Sequence, residues 1–183
     1  MEPDEMTHQS HRRSGRRLVV ALFVLLVLRF LLVQQFYISG PSMQGTLTPD
    51  DRVLVEKITG HLRDVQRGDV VVFRQTTDEG PRDLIKRVIG LPGDTVLVEN
   101  CRVYLDGAVI DEPYLDTFAE DVFGDGCGGG TNGPVDVPEG ELFVMGDNRP
   151  QSSDSRAFGT VPLSSVIGRA FLVVWPPSSW RPL

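Results

Sequence analysis

The chain has 183 residues, 40% of them apolar, enough for one domain with a sizeable core plus an appendage. Its net charge of −7 is unevenly placed: residues 1–38 carry five arginines against three acids, whereas residues 39–183 carry thirteen basic and twenty-two acidic residues. So acidic a body argues against a nucleic-acid partner.

From Leu18 to Val33 every residue but Arg29 is apolar, and continuing to Ile38 gives twenty-one residues, about 31 Å of helix. That length matches a bilayer core, so one transmembrane helix is expected over 18–38. Arg29 costs it about 2.5 to 3.5 kcal/mol, against roughly −4 to −8 kcal/mol from the Leu, Val and Phe around it, so insertion is favoured. A basic start followed by Leu18–Leu28 also fits a cleaved secretory signal, but the nearest small-residue cut, Ile38-Ser39-Gly40, would clip the turn that follows, and an uncleaved anchor is the preferred reading. Arg12, Arg13, Arg16 and Arg17 precede the span, while only Arg52 and Lys57 follow within twenty residues. The rule that positive charge stays inside then puts residues 1–17 in the cytoplasm and the body, 39–183, outside the plasma membrane.

Directly after this run stands Ser39-Gly40-Pro41-Ser42-Met43-Gln44-Gly45-Thr46-Leu47, a small-residue turn presenting one hydroxyl, Ser42, beside a proline that fixes its own φ. Beyond it come short β-rich runs: Arg52 to Lys57, Asp69 to Phe73, Leu84 to Ile89, Thr95 to Glu99, Arg102 to Leu105, Ala108 to Ile110, Leu142 to Met145 and Ala170 to Trp175. No helical period is sustained past residue 40, so the body is expected to be mainly β, an antiparallel sheet or barrel. Asp106-Gly107 reads as a two-residue hairpin turn. Six glycines between Phe123 and Pro134 read as a surface loop lacking the order of a phosphate cradle, and Arg67-Gly68-Asp69 as the entry to a strand. Cys101 and Cys127 both fall in the exported body, where a disulfide is permitted, and their spacing fits no zinc pattern.

A serine nucleophile needs a base. His8 and His11 precede the span, and His61 lies in a polar loop, so a serine–histidine pair is disfavoured. The exported body has two lysines, Lys57 and Lys86. Lys57 follows Glu56, which favours its charged form. Period-two alternation puts Lys86 on one strand face with Leu84 and Val88, where desolvation would lower its pKa toward operating pH. A polar cluster, Gly146-Asp147-Asn148-Arg149 through Ser152, Asp154 and Arg156, follows the apolar run Leu142 to Val144. Its acids lack the order of a calcium loop, and no cofactor or metal is expected.

Four blocks in one order, Gly40-Pro41-Ser42-Met43, Asp51 to Lys57, Lys86 to Asp94 and Gly146 to Arg156, together with the preceding span, resemble the type I signal peptidase (leader peptidase) family. The resemblance implies that Ser42 is a nucleophile and Lys86 its general base, cutting signal peptides from exported preproteins through an acyl-enzyme. It implies that Ser152 orients the lysine and that Asp147, Asp154 and Arg156 support the site. The backbone N–H of Ser42 is the expected oxyanion donor; where part of the family has a hydroxyl residue two positions before the nucleophile, this chain has Gly40. Ile38, Gly40, Met43, Leu47, Leu84 and Ile85 are the expected substrate pocket, suited to small residues in an Ala-x-Ala site, with the substrate strand lying beside the run ending at Lys86. Phe36, Tyr37, Trp175 and Trp180 are expected to seat the body on membrane lipid, and the protein-export machinery is an expected partner. The alternatives are a Ser-Lys protease that cuts itself or one dedicated partner, and a non-catalytic membrane-anchored β-domain that binds exported proteins.

Overall fold

Valine-rich runs such as Val70-Val71-Val72-Phe73, buried on both faces, make the centre of this molecule sheet rather than helix. The computed structural model describes residues 17–23, 33–57, 65–77, 80–100, 102–115 and 129–183. Arg29, the three histidines, Cys101 and Cys127 lie outside the described residues, as does most of the glycine-rich loop. The chain divides into two compact units, Met1–Gln34 and Gln35–Leu183.

Residues 17–23 are helical, and among the described residues no helix is long and apolar enough to cross a membrane. The expected span is corrected at its end. Val33–Tyr37 is a strand, β1, so a helix cannot continue to Ile38. Gln34 and Gln35 interrupt the apolar run there, and Phe36 turns onto the body's core.

The remaining strands are β2 (Arg52–Lys57), β3 (Val70–Thr77), β4 (Gly80–Gly90), β5 (Thr95–Glu99), β6 (Arg102–Leu105), β7 (Ala108–Val109), β8 (Val135–Asp136), β9 (Glu141–Met145), β10 (Val161–Pro162), β11 (Val166–Trp175) and β12 (Arg181–Pro182). The larger sheet runs β1-β2-β11-β3-β4-β9-β10, with β12 also on β11, and the smaller runs β7-β6-β5-β8. The strand pairs whose register is defined are all antiparallel. The hairpin at Asp106-Gly107 pairs Leu105 with Ala108, and both turn residues have positive φ, 50° and 83°, the geometry that favours Asp-Gly.

Alternation along β3 separates two cores. Val70 and Val72 join Met43, Leu47, Val53 and Val55 on one face, while Val71 and Phe73 join Val88, Leu142 and Val144 on the other. Phe143 and Met145 of β9 face a third cluster built on the small sheet. The turn that carries Ser42 is thus bolted to the core by Met43 and Leu47, 0% and 1% exposed.

Candidate active site

Ser42 sits in a single 3-10 turn, Pro41–Met43, with the proline at its first position. Gln44 N–H donates to the Pro41 carbonyl (2.9 Å), and Thr46 and Leu47 N–H donate to that of Met43 (3.1 and 2.7 Å). The base of the loop is closed by Ile38 N–H to the Asp51 carbonyl and Asp50 N–H to the Ile38 carbonyl, both 2.9 Å. The hydroxyl is therefore presented from a pinned loop.

Lys86 lies on β4 opposite Val71, one residue before β9 begins to pair at Arg87 and Met145. Its Nζ donates to Ser42 Oγ at 2.7 Å and to the Ile85 carbonyl at 3.0 Å, and the residue is 3% exposed. Burial pushes the lysine down to about 8, against the opposing pull of Asp154 and Asp147. A neutral amine, which that shift makes accessible near neutral pH, accepts a proton where the ammonium only donates.

Behind the pair, β9 ends and the chain turns through Gly146 to Arg149. Asn148 N–H donates to the Ser42 carbonyl (3.1 Å) and Asn148 Nδ2 to that of Pro41 (3.1 Å). Asp147 forms a buried two-pronged ion pair with Arg87, Nε to Oδ1 at 2.8 Å and Nη2 to Oδ2 at 2.6 Å, and accepts from Thr46 Oγ1 at 2.5 Å. Asp154, fully buried, accepts from Gly146 N–H (3.0 Å) and pairs with Arg156 (2.8 Å). Burial alone would raise its carboxyl, but the Arg156 guanidinium and the Gly146 N–H hold it below the usual carboxylate range. Ser152 stands beside this carboxylate, and among the described residues its buried Oγ has no hydrogen-bond partner.

Gly146 packs directly against Ser42 and Ser152. A Cβ there would overlap Ser152 Oγ and the Ser42 carbonyl oxygen, so any side chain pushes the two serines apart. Gly146→Ala is expected to lower kcat about 10²-fold with a much smaller change in KM, because a shift of about 1 Å at the reacting groups has that cost. Steady-state kinetics on a preprotein substrate check it; a KM effect alone would contradict it.

The structure brings Ser42, Lys86, Ser152, Asp147, Asp154 and Arg156 into one constellation. Ile38, Gly40, Leu84 and Ile85 line a cleft of about 130 Å³ that opens at Ser42 and Lys86. Met43 and Leu47 do not: their side chains point into the core beneath the turn, so they support the loop rather than face a ligand. Sequence reasoning missed Phe36, Tyr37, Val72 and Asp83 as cleft residues, Arg87 and Thr46 as partners of Asp147, and Glu112 and Tyr114 altogether. Arg87 stood beside Lys86 in its block and Thr46 within the Ser42 turn; no local signal marks Glu112 or Tyr114.

An antiparallel β body carrying a serine against a buried lysine at the mouth of an apolar cleft belongs to the class of serine endopeptidases. The sequence profile described as "Signal peptidase, peptidase S26" matches residues 11–175, and the chain belongs to that family. It is 36% identical over 178 residues to "Signal peptidase I" of Bacillus caldolyticus, covering 93% of this chain and 96% of that protein. It is 38% identical over 168 residues to "Signal peptidase I" of Leptolyngbya laminosa, covering 88% and 76%. A crystal structure of a signal peptidase I from Enterococcus faecalis superimposes with a TM-score of 0.50 at 34% identity, over 58% of this chain and 96% of that one.

Proposed function

We propose that this protein removes signal peptides from exported preproteins with Ser42 as nucleophile and Lys86 as general base. The 2.7 Å contact between Nζ and Oγ carries the assignment, together with the burial that favours the neutral amine. Ser42 Oγ attacks the scissile carbonyl carbon as Nζ takes its proton. The proton passes to the leaving amine, and the acyl-enzyme is hydrolysed by a water that Lys86 deprotonates in turn. Lys86 Nζ is held by the Ile85 carbonyl, and Ser152, whose buried Oγ is unengaged beside Gly146, is the hydroxyl left to orient the lysine during the reaction, while Asp147, Asp154 and Arg156 hold the loop.

The substrate strand lies in the cleft between Phe36–Ser39 and Leu84–Lys86, its backbone hydrogen bonds setting register. The small volume beside Ile38, Leu84 and Ile85 suits alanine-sized residues, as in an Ala-x-Ala site. The backbone N–H of Ser42 serves the oxyanion. Gly40 is extended (φ −116°, ψ 161°) and a Cβ there meets nothing within 4 Å, so Gly40→Ser is accommodated. It is expected to add a donor and raise kcat several-fold in single-turnover cleavage; a fall would show that the hydroxyl cannot reach the oxyanion.

The barrel-like body is anchored by a span within the residues before β1, with its amino end cytoplasmic and the catalytic body outside the plasma membrane, within reach of the export machinery. Trp175 and Trp180, 49% and 66% exposed, seat it on lipid, Trp180 being held by its indole N–H on the Val174 carbonyl (2.6 Å). Protease digestion of sealed cells should reach sites past residue 40; protection there would overturn the orientation.

Because the reaction needs Lys86 neutral, kcat/KM should rise with pH through a midpoint near 8, roughly a tenth of the plateau at pH 7 and nine-tenths at pH 9. A flat profile across pH 6–10, with chemistry rate-limiting, would refute lysine as base. Self-cleavage without action on preproteins would favour a dedicated self-processing protease.

A further inference from the structure

The segment that follows the β6–β7 hairpin reaches back from the small sheet to the rear of the catalytic loop. Glu112 makes a two-pronged ion pair with Arg149, Nη2 to Oε1 at 2.5 Å and Nη1 to Oε2 at 3.1 Å, the two side chains 9% and 4% exposed. Tyr114 donates its hydroxyl to the same carboxylate (2.6 Å) and lays its ring against the Arg87 guanidinium, 4.0 Å from the centroid. Arg149 Nε donates to the Gly146 carbonyl at 3.1 Å, and Arg156 Nη2 to the Arg149 carbonyl at 2.7 Å. Both arginines touched by this segment therefore grip residues that hold the serine and lysine in place: Arg87 through Asp147, Arg149 through Gly146.

We infer that Glu112 and Tyr114 are positioning residues for signal-peptide cleavage, through which the small sheet sets both the placement of the Gly146–Arg149 loop and the charge around Lys86. This inference rests on the Ser42–Lys86 reading. The groups around Lys86 are the carboxylates of Asp147 and Asp154, each matched by an arginine, Arg87 and Arg156, with Ser42 in front. Arg149 is the third cation, and Glu112 is its partner. Without that carboxylate a buried guanidinium is left uncompensated beside the loop, and the carboxylate it then draws upon is Asp147, in competition with Arg87. Drawn toward Arg149, Asp147 pulls less on the lysine ammonium, which favours neutral Lys86 at lower pH, while the displaced loop slows the chemical step.

The test is the kcat/KM–pH profile of the full-length protein in detergent on a preprotein, for wild type, Glu112→Gln, Glu112→Asp and the double variant Glu112→Gln/Arg149→Met, with Lys86→Ala in the same assay. Glu112→Gln should lower the plateau about tenfold or more and move the midpoint to lower pH by roughly half to one unit. Glu112→Asp should keep the wild-type midpoint, and the double variant, which removes both charges, should return to it. Should Glu112→Gln fail to fold, Arg149→Met alone must move the midpoint the other way. A profile shifted by none of these variants, or one still shifted in the double variant, overturns the inference even if thermal stability falls. An active Lys86→Ala overturns the dyad instead, which separates the two failures.

Discussion

Ser42→Ala, Lys86→Ala and the double variant are expected to cleave preprotein at the same residual rate, about 10⁴-fold or more below wild type. In the proposed dyad the attacking oxygen and its proton acceptor act as one unit across a 2.7 Å contact, so either loss removes the whole nucleophilic path and the second costs little more. Binding should survive, because the cleft walls, Phe36 to Ser39 and Leu84 to Ile85, are untouched. Single-turnover cleavage reads the rate, and fluorescence titration with a signal peptide reads the affinity. Near-additive losses, or a Lys86→Ala variant that still cuts, would mean that another base serves Ser42.

The second large effect falls on stability. Asp147→Ala strands Arg87, 7% exposed, beside Thr46 and the Gly68 carbonyl with no carboxylate. An uncompensated buried charge costs about 3 to 5 kcal/mol, which for a body of this size lowers Tm by roughly 6 to 20 °C. Replacing both partners, Asp147→Leu with Arg87→Met, should recover much of that loss without restoring activity, since neither leucine nor methionine grips Thr46. Differential scanning calorimetry distinguishes the two; equal Tm losses for the single and double variants would show that packing, rather than the stranded charge, sets the cost.

The strands were legible because their signals are local. Arg52–Lys57, Thr95–Glu99 and Arg102–Leu105 stand where alternation puts them, and Asp106-Gly107 turns as a pair able to take positive φ must. Val33–Tyr37 was misread: Gln34 and Gln35 break the apolar run there, but two residues do not distinguish the end of a span from a strand, which pairing at the sheet edge decides. Met43 and Leu47 failed in a related way. Nearness to Ser42 in sequence suggested the pocket, but the loop's curl points them into the core.

By itself the sequence determined the chemistry available to this protein: one presented serine, histidines poorly placed to serve it, a lysine between aliphatics, and four blocks in the order of a known family. Those are properties of residue type and short spacing. Tertiary structure alone decided that Lys86 reaches Ser42 from 44 positions away, that β1 supplies the opposite cleft wall, and that Glu112 and Tyr114 stand behind the catalytic loop. Contacts between distant segments are fixed by sheet order and register, and no local pattern encodes which strand becomes whose neighbour.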